Sequence, residues 1–329
     1  MSQSSTPRPL LLPLVPLYRL ALAIREHRPR PVRRLRSPVI SIGNLSAGGS
    51  GKTPLVIALA NALQRRGFAV DVLSRGYGRS STTAARVHPT GTPEEFGDEP
   101  LLIAQTGIPV YVAPQRFDAG LLAESDPAIA TPLPHIHLLD DGFQHRQLHR
   151  DADILLLNRE DWSGRLLPAG NLREPRSAIH RATILAIPAD DPALEADLRT
   201  WGWTGPLWRL RRTMEIPAVS GPVTAFCGIA RPAQFFAGLE SSGVRLAFRR
   251  AFRDHHRYTA ADLTRLGADA RAAGAAALLT TEKDRVRLGA LAAAFPPSLP
   301  LFTVPLRTEI ENEDKSLAGL IAHLLRPAP

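Results

Sequence analysis

GNLSAGGSGKT, residues 43–53, is a glycine-rich loop that ends in a lysine and a threonine. It follows an apolar run at 39–43 and precedes a helical pattern at 54–66, so it connects a strand to a helix. Glycines in such a loop let backbone N–H groups turn toward phosphate oxygens, and the positive end of the following helix points at the same oxygens. The stretch therefore predicts a phosphate-binding loop in which Lys52 contacts the β- and γ-phosphates and Thr53 binds Mg²⁺.

The loop departs from the general pattern at one position. Its usual first glycine falls at Ser46, although Gly43, Gly48 and Gly49 keep the segment rich in glycine. The competing interpretation is a flexible glycine loop with an incidental lysine. The strand and helix patterns on either side favour the phosphate-binding interpretation.

A second stretch, HIHLLDDG at 135–142, supplies the acidic strand end that a nucleotide site requires. An apolar strand that ends in Asp140 and Asp141 resembles a Walker B element, whose carboxylate holds Mg²⁺ or its water shell. A guanine-specifying N-K-x-D pattern is missing, since in TEKD at 281–284 the lysine directly precedes the aspartate. GTP specificity therefore has no support in the sequence.

Histidines in the same region allow a rival interpretation, a metal-dependent hydrolase site. The candidate ligands lie along the strand and continue past its end: His135, His137, Asp140, Asp141, His145 and His149. The phosphate-binding loop weakens this rival, because His135 and His137 are equally well explained as ordinary strand residues.

Short apolar runs alternate with helical stretches from residue 39 onward, which is the pattern of βαβ units around a mostly parallel sheet. A second series of strand patterns begins near 223, after a connector at 206–222 that contains prolines and arginines. We therefore predict an α/β fold with a P-loop NTPase-like, mostly parallel sheet in residues 37–212. A second, smaller α/β domain is predicted in residues 213–329, joined by a short extended linker.

Residues 1–36 form a separate N-terminal segment. Its helical pattern begins near Pro16, and its apolar stripe consists of Leu17, Leu20, Ala21 and Ile24. Five arginines follow this stripe: Arg28, Arg30, Arg33, Arg34 and Arg36. The combination is typical of a helix that lies on an anionic bilayer, but a helix packed on the protein's own core is equally consistent. A secretory signal is a third interpretation, which two prolines and an arginine within the apolar region disfavour.

The composition is that of a folded protein with anionic partners. The chain has 329 residues, is 44% hydrophobic and 22% charged, and carries a formal net charge of +9. The basic excess favours nucleic acid, phosphorylated molecules or an acidic membrane surface. No apolar run reaches the roughly 18 residues that a transmembrane helix needs. The single cysteine, Cys227, excludes an intramolecular disulfide and fits a buried thiol in a reducing compartment.

Two further patterns contain candidate acid–base residues. In GDEP at 97–100, Asp98 precedes a helical pattern, so it is either a helix cap or a general base for an attacking hydroxyl. His255 follows a strand pattern of the second domain, so it is either a surface residue or a side chain that reaches across a cleft to a carboxylate. Periodicity does not decide between these interpretations.

Taken together, these strings resemble the tetraacyldisaccharide 4'-kinase family, the lipid A 4'-kinases of Gram-negative bacteria. Several strings are weak individually, but their order and spacing from 39 to 284 are similar to those of this family. The strings that carry the resemblance are SIGNLSAGGSGKTP at 41–54, LSRGYG at 73–78, GDEP at 97–100, DDGFQH at 140–145, LPAGNLREP at 167–175, DH at 254–255 and TEKD at 281–284.

The resemblance implies phosphorylation, dependent on ATP and Mg²⁺, of the 4'-hydroxyl of tetraacyldisaccharide 1-phosphate. This acylated glucosamine disaccharide would become lipid IVA, a precursor in lipopolysaccharide biosynthesis. The implied fold is a P-loop α/β domain joined by a short β-linker to a second α/β domain. The implied protein is peripheral on the anionic cytoplasmic face of the inner membrane, is expected to be a monomer and has no nucleic-acid partner.

The same resemblance implies roles for individual residues. Asp98 is expected to be the general base, assisted by His255 from the other domain, while Lys52 handles the transferred phosphate. The loop residues expected to bind the nucleotide are Gly48, Gly49, Ser50, Gly51, Lys52 and Thr53. The residues expected near Mg²⁺ are Thr53, Asp140 and Asp141. The residues expected to contact phosphates or the sugar headgroup are Arg75, Arg116, Arg173 and Glu174.

Two other functional classes compete with this one. A P-loop switch ATPase of the metallochaperone or protein-targeting type would share the loop, but it leaves Asp98 and the LREP string without a role. A nucleic-acid-binding module would rest only on the isoelectric point of about 10.6, because the arginines are scattered and no recognition motif appears.

Overall fold

The computed structural model of the protein describes residues 8–27, 31–49 and 51–325. Nine strands form the larger sheet: β1 (Val39–Asn44), β2 (Ala69–Ser74), β3 (Ala85–Arg86), β4 (Val110–Val112), β5 (His135–Asp140), β6 (Ala152–Leu156), β7 (Ile184–Pro188), β8 (Leu207–Met214) and β13 (Leu306–Ile310). Their order is β13-β8-β7-β6-β1-β5-β2-β4-β3. Neighbouring strands are parallel except at the two edges, where β13 pairs antiparallel with β8 and β3 with β4. The predicted mostly parallel α/β sheet is confirmed.

Helices connect these strands and cover the sheet on both faces. The helices in this part of the chain are α1 (Val15–His27), α2 (Lys52–Arg65), α3 (Pro93–Phe96), α4 (Asp98–Ala104), α5 (Arg116–Glu124), α6 (Arg159–Ser163) and α7 (Pro192–Thr200). Short 3₁₀ helices lie at Pro9–Leu14, Pro127–Ile129 and Arg176–Arg181.

Strand β1 lies inside the sheet, between β5 and β6, and all six of its residues are buried. Ile40 and Ile42 pack in one core cluster with Leu55 and Leu59 of α2, and each of these side chains is fully buried. A leucine or isoleucine buried to this extent contributes about 1.5–3 kcal/mol to stability. This packing fixes the direction in which the glycine-rich loop leaves β1 and enters α2.

The smaller sheet is wholly parallel. Its strands are β9 (Val223–Cys227), β10 (Leu246–Ala251), β11 (Ala277–Thr281) and β12 (Leu301–Val304), in the order β10-β9-β11-β12. The helices that accompany it are α8 (Pro232–Ser241), α9 (Ala260–Ala272) and α10 (Glu282–Leu288), with a 3₁₀ helix at Gly289–Ala294. Cys227 is fully buried at the end of β9, as expected for a thiol of the core.

After β12 the chain returns to the larger sheet. Strand β13 pairs with β8, and helix α11 (Glu313–Leu324) buries Leu317 and Leu320 in the core cluster that contains Ile40. The predicted second domain, residues 213–329, included β13 and α11, whereas the structure packs both on the first sheet because their apolar side chains complete its core. The predicted extended connector at 206–222 likewise contributes β8 to that sheet. The predicted domain limits otherwise stay a prediction.

The N-terminal segment contains the predicted helix as α1. Its predicted apolar stripe faces outward: Leu17 is 65% exposed, Leu20 57% and Ile24 48%. The opposite face packs inward, where Val15 and Tyr18 contact a core cluster and the Tyr18 hydroxyl donates to the Arg173 carbonyl oxygen at 3.0 Å. Residues 1–7 and 28–30, which include Arg28 and Arg30, lie outside the described residues. Within the described part of the chain, no helix combines the length and the apolar character needed to cross a membrane.

Candidate active site

A cavity of about 1270 Å³ lies between the two sheets. One wall is formed at the carboxyl ends of β1, β2 and β5, which is where open α/β sheets bind their ligands. The other wall comes from the segments that follow β9, β10 and β11. Its lining includes Gly48, Lys52 and Asp141 on the first wall and Ala230, His255 and Lys283 on the second.

The predicted phosphate-binding loop opens onto this cavity. Helix α2 begins at Lys52, so the free N–H groups of its first turn lie beside the loop. Gly51 has a φ of +81°, which glycine adopts without strain, and a Cβ at this position would lie 2.7 Å from the Arg212 guanidinium carbon. A Cβ on Gly49 would lie 3.4 Å from the Cβ of Ala230, so the second wall closely approaches the loop. Ser50, predicted to bind phosphate, lies outside the described residues.

The ammonium group of Lys52 is fixed at the end of β1. It donates to Asn44 Oδ1 at 3.1 Å and lies 3.4 Å from Asp141 Oδ1. Asn44 in turn donates from its side-chain amide to the Ser46 hydroxyl at 2.9 Å. The serine that replaces the usual first glycine therefore orients the amide that holds Lys52. Thr53 follows in the first turn of α2 and is buried.

Asp140 and Asp141 end strand β5 in different electrostatic states. Burial, followed by the charges of Glu99 and Asp141, raises the pKa of Asp140 to about 7. Among the described residues, Asp140 Oδ1 is buried and has no hydrogen-bond partner. Burial also opposes ionisation of Asp141, but Lys52 and Arg173 hold its pKa below the usual range. A buried carboxylate oxygen without a partner fits a cation, and carboxylate and hydroxyl oxygens are the ligands of Mg²⁺, so Thr53, Asp140 and Asp141 fit this ion.

Arg75 and Arg116 make part of the cavity strongly basic. Arg116 is buried, and its Nη1 donates to the Pro114 carbonyl oxygen at 3.1 Å. Burial, followed by the charge of Arg75, lowers the pKa of Arg116 to about 10. Burial and the charge of Arg116 also lower the pKa of His145 to about 4, so this imidazole is neutral near pH 7. Two guanidinium groups of like charge at one wall fit an anion such as a phosphate.

The structure separates Arg173 from Glu174, which were both predicted to contact phosphates or the sugar headgroup. Arg173 lines the cavity and donates to both carboxylate oxygens of Asp141, at 3.0 and 2.8 Å. Glu174 is buried behind the wall, where it accepts from Arg181 at 2.6 Å and from Arg146 at 3.4 Å. Glu174 therefore acts on the neighbouring arginines rather than as part of the cavity lining.

Asp98 and His255 meet across the two sheets. Asp98 is the first residue of α4, and its Oδ2 lies 3.0 Å from His255 Nδ1. The His255 side chain is 38% exposed and lines the cavity, whereas that of Asp98 is 6% exposed behind it. Burial opposes ionisation of Asp98, yet the hydrogen bond from His255 and the charge of Arg287 hold its pKa well below the usual range. The hydrogen bond to Asp98 raises the pKa of His255.

Helix α10 supplies two cations that our sequence reasoning missed. Lys283 forms an ion pair with Glu99, and Arg287 forms one with Asp98. In the sequence, TEKD at 281–284 was used to exclude a guanine-specifying pattern and as one string of the family resemblance, with no role predicted for Lys283. The available signal was the spacing of the two basic residues, which places them one helical turn apart and on one face of α10.

The rival hydrolase site does not assemble. His135 and His137 contact Asp71 of β2, with nitrogen to oxygen distances of 2.7 and 2.9 Å. They begin the strand that Asp140 ends, so about 10 Å or more separates them from that carboxylate. Within the described ranges, one group of His, Cys, Asp and Glu side chains has ligand atoms close enough together to hold a metal ion: Asp71, His135 and His137. This group does not line the cavity.

The sequence matches, over residues 7–326, the protein family described as tetraacyldisaccharide-1-P 4'-kinase, LpxK. The chain belongs to this family. Among its relatives, the tetraacyldisaccharide 4'-kinase of Koribacter versatilis is 41% identical over 301 residues, which cover 88% of this chain and 89% of the relative. The enzyme of the same name from Anaeromyxobacter sp. strain K is 39% identical, with 98% of this chain and 93% of the relative covered.

A solved member of the kinase family also matches in structure. LpxK from Aquifex aeolicus, crystallised in complex with ATP, superposes with a TM-score of 0.75 and 33% sequence identity. The match covers 97% of this chain and 99% of that protein. The predictions of the family, of a P-loop kinase fold and of a transferase are thereby confirmed. Of the predicted site residues that are described, all except Asp98 and Glu174 line the cavity. Asp98 contacts the lining residue His255, whereas Glu174 contacts Arg181 and Arg146, which do not line it.

Proposed function

We propose that the protein transfers the γ-phosphate of ATP to the 4'-hydroxyl of tetraacyldisaccharide 1-phosphate, giving lipid IVA in lipid A biosynthesis. One observation carries this proposal: in a chain of this kinase family, the phosphate-binding loop faces the Asp98–His255 pair across a single cavity. Phosphoryl transfer depends mainly on positioning and on neutralisation of charge, which this arrangement supplies from opposite walls.

The first wall would bind the triphosphate. The glycine-rich loop and the first turn of α2 offer backbone N–H groups, and Lys52 lies where it can exchange Asp141 for phosphate oxygens. Thr53, Asp140 and Asp141 would hold Mg²⁺. When bound, this ion neutralises charge on the phosphates. Arg173 keeps the Asp141 carboxylate oriented through its paired hydrogen bonds.

The acceptor would approach from the side of Arg75 and Arg116. Both guanidinium groups lie at the cavity, so they suit a phosphorylated sugar headgroup. Because Arg116 is buried and braced by the Pro114 carbonyl, its guanidinium is oriented before any ligand binds. Binding of the 1-phosphate here would direct the other end of the disaccharide toward the γ-phosphate.

The Asp98–His255 pair would accept the proton of the attacking hydroxyl. The hydroxyl oxygen forms a bond to the γ-phosphorus, the bond from that phosphorus to the bridging oxygen of ADP breaks, and the proton passes to the pair. His255 lines the cavity and Asp98 lies behind it, so the two side chains would act as one unit.

A lipid substrate also suits the exposed face of α1. Leu17, Leu20 and Ile24 project from the protein while Tyr18 ties the same helix to Arg173 beside the cavity. An apolar helix face of this kind binds at a bilayer interface. We propose that the protein is a peripheral monomer at the cytoplasmic face of the inner membrane, where α1 brings the cavity to the lipid.

The decisive experiment measures transfer of labelled γ-phosphate from ATP to tetraacyldisaccharide 1-phosphate in mixed micelles. Wild type is compared with Lys52→Ala and with a reaction that lacks lipid. Labelled lipid from wild type alone, and only when lipid is added, supports the proposal. Hydrolysis of ATP without labelled lipid would instead favour a switch ATPase, and no ATP turnover at all would exclude both functions.

A further inference from the structure

We propose that Arg287 is a positioning residue for the Asp98–His255 pair: its guanidinium, carried by helix α10, holds Asp98 against His255 so that the imidazole faces the cavity. The inference rests on the proposed function, because it concerns the group that would accept the hydroxyl proton. Arg287 does not line the cavity, so it acts on the reacting atoms through Asp98 and His255.

The guanidinium of Arg287 is buried and saturated with partners. Its Nε donates to Asp98 Oδ2 at 2.7 Å, and its Nη2 donates to the same oxygen. Its Nη1 donates to the Gly228 carbonyl oxygen and, at 3.2 Å, to Asp284 Oδ1. The side chain is 6% exposed. A planar fork of this kind fixes orientation as well as charge, which an ammonium group cannot do.

The partners of Arg287 are themselves held rigidly. Asp284 is fully buried, and its Oδ1 accepts from the Gly228 backbone N–H and from the Tyr258 hydroxyl, both at 2.9 Å. Its Oδ2 accepts from the Thr281 hydroxyl at 2.6 Å. Arg287 therefore projects from a braced platform, and Asp98 is the partner that the other sheet supplies.

The same platform holds the backbone of His255. The Gly228 carbonyl oxygen accepts from Arg287 Nη1 and also from the His255 backbone N–H, at 3.1 Å for the latter. His255 has a φ of +56°, a left-handed conformation that is costly for a residue with a side chain and needs such support. One carbonyl thus couples the position of the guanidinium to that of the imidazole.

The arrangement leaves one imidazole nitrogen for the substrate. His255 Nδ1 is engaged by Asp98 at 3.0 Å, so Nε2 is the nitrogen available to a hydroxyl in the cavity. The charged groups that act on His255 are Asp98 of α4, the adjacent Asp254 and Arg287 of α10, while Lys283 of α10 acts on Asp98. Tyr77 is the nearest aromatic ring, at 5.4 Å between centroids.

Arg287 also limits how strongly the imidazole holds a proton. The two carboxylates favour the imidazolium, while the Arg287 guanidinium, 3.3 Å from Nδ1, disfavours it. Loss of the positive charge should therefore raise the pKa of His255 and keep it protonated at pH values where it must accept a proton. Replacement of a residue that only joined the two sheets would not raise the pKa of His255.

The test compares Arg287→Gln with Arg287→Lys and with Arg285→Gln as the matched control. Arg285 lies on the same helix, is exposed and donates to the Gly289 carbonyl oxygen. The first readout is the titration of His255 followed by NMR in histidine-labelled full-length protein without substrate. The second is the pH profile of kcat for phosphate transfer to tetraacyldisaccharide 1-phosphate, with KM measured for ATP.

We expect Arg287→Gln to raise the pKa of His255 by at least about half a unit and to move the acidic limb of kcat upward in pH by a similar amount. Its kcat should fall at least about tenfold, with the KM for ATP within about twofold of wild type. Arg287→Lys should recover part of this kcat and leave the titration near that of wild type. Arg285→Gln should match wild type in every readout.

The inference is overturned if the pKa of His255 and the kcat of Arg287→Gln are both the same as those of wild type. If the glutamine variant does not fold, Arg287→Lys decides: a lowered kcat at unchanged KM for ATP supports the inference, and wild-type kcat overturns it. Failure of wild type to phosphorylate the lipid would overturn the proposed function, while the NMR titration would still test the effect of Arg287 on His255.

Discussion

His255 Nδ1 lies 3.0 Å from Asp98 Oδ2, although 157 positions separate the two residues in the chain. Asp98 begins α4 on the larger sheet and His255 follows β10 of the smaller one, so the contact forms only when the two sheets face each other. The side chains therefore form one hydrogen-bonded pair whose two members come from different parts of the protein.

Because they form one group, substitution of either residue should have the same consequence. We expect Asp98→Asn and His255→Ala each to lower kcat by about 10²–10³-fold, and the double variant to be little worse than the poorer single one. Single-turnover transfer of labelled phosphate measures this, with the KM for ATP changing little. Fully multiplicative losses would show that the two side chains act independently. His88→Ala, which replaces an exposed histidine whose side chain bonds to Thr90, serves as the control.

Lys52 should be essential for turnover, because it is the ammonium group that the structure directs at the phosphate-binding loop. We expect Lys52→Ala to lower kcat by about 10³-fold or more, as the transferred phosphate would lose its fixed positive partner. Lys315→Ala removes an exposed lysine of α11 and should behave as wild type. Transfer of labelled phosphate measures both variants. Near-normal turnover by Lys52→Ala would contradict the assignment of this loop.

The parts of the fold and site that could be predicted are those with local signals. The loop at 43–53 carries its whole pattern within one stretch, and β1 and α2 beside it have clear periodicity. The apolar run predicted at 39–43 appears as β1 with an almost identical range, Val39–Asn44, for the same reason. The parallel arrangement followed, because helices that alternate with buried strands leave few other topologies.

The parts that escaped prediction depend on contacts between distant residues. Arg287 reaches Asp98 across 189 positions, and nothing in the residues around either one encodes that pairing. The pairing of β13 with the larger sheet also depends on distant contacts, since the pattern of its five residues is compatible with either sheet. In the structure β13 pairs with β8, and Ile310 packs in the core cluster of the larger sheet. Glu174 was predicted at the cavity because it belongs to the LPAGNLREP string of the family resemblance, but only Arg173 of this pair lines the wall, and Glu174 accepts from Arg181 instead.

A buried cluster of charged side chains on the neighbouring strands β2 and β5 should make the stability of the protein depend on pH. Asp71 and His137 are fully buried and hydrogen-bonded at 2.9 Å, and His135 bonds to the same carboxylate. Burial opposes both charges, yet the histidines lower the pKa of Asp71 and Asp71 raises the pKa of His137. The stabilisation from Asp71 is lost as pH falls through its lowered pKa. That from His137 is complete below its ordinary pKa of 6.5 and is lost as pH rises through the raised value.

Replacement of this carboxylate should therefore be most harmful in weak acid. We expect Asp71→Asn to lower the free energy of unfolding by about 3 kcal/mol near pH 5.5, and by less at pH 8.5, because breaking a buried pair leaves a buried charge uncompensated. Urea unfolding at the two pH values measures the difference. Asp118→Asn, which removes the exposed partner of Arg33, should cost less than about 1 kcal/mol at both. A penalty for Asp71→Asn that does not vary with pH would contradict the charged assignment.

The outward face of α1 should determine attachment to membranes. Leu17 and Leu20 are exposed on the same face, whereas Tyr18 holds the helix to the protein from the other side. The double variant Leu17→Glu/Leu20→Glu would remove apolar area and add charges that an anionic bilayer repels, without disturbing the inner face. We expect its binding to vesicles of anionic and zwitterionic phospholipids to fall at least about tenfold, because each leucine contributes of order 1 kcal/mol at an interface.

The matched control places the same charges elsewhere. Leu121 and Leu133 are 45% and 48% exposed and lie outside the N-terminal segment, so Leu121→Glu/Leu133→Glu should bind vesicles as wild type does. Nucleotide affinity, measured without lipid, should be unchanged in both double variants, since neither pair touches the loop. Co-sedimentation with vesicles separates the outcomes. Equal losses in the two variants would indicate a general effect of charge, and an unchanged α1 variant would show that this face serves another partner.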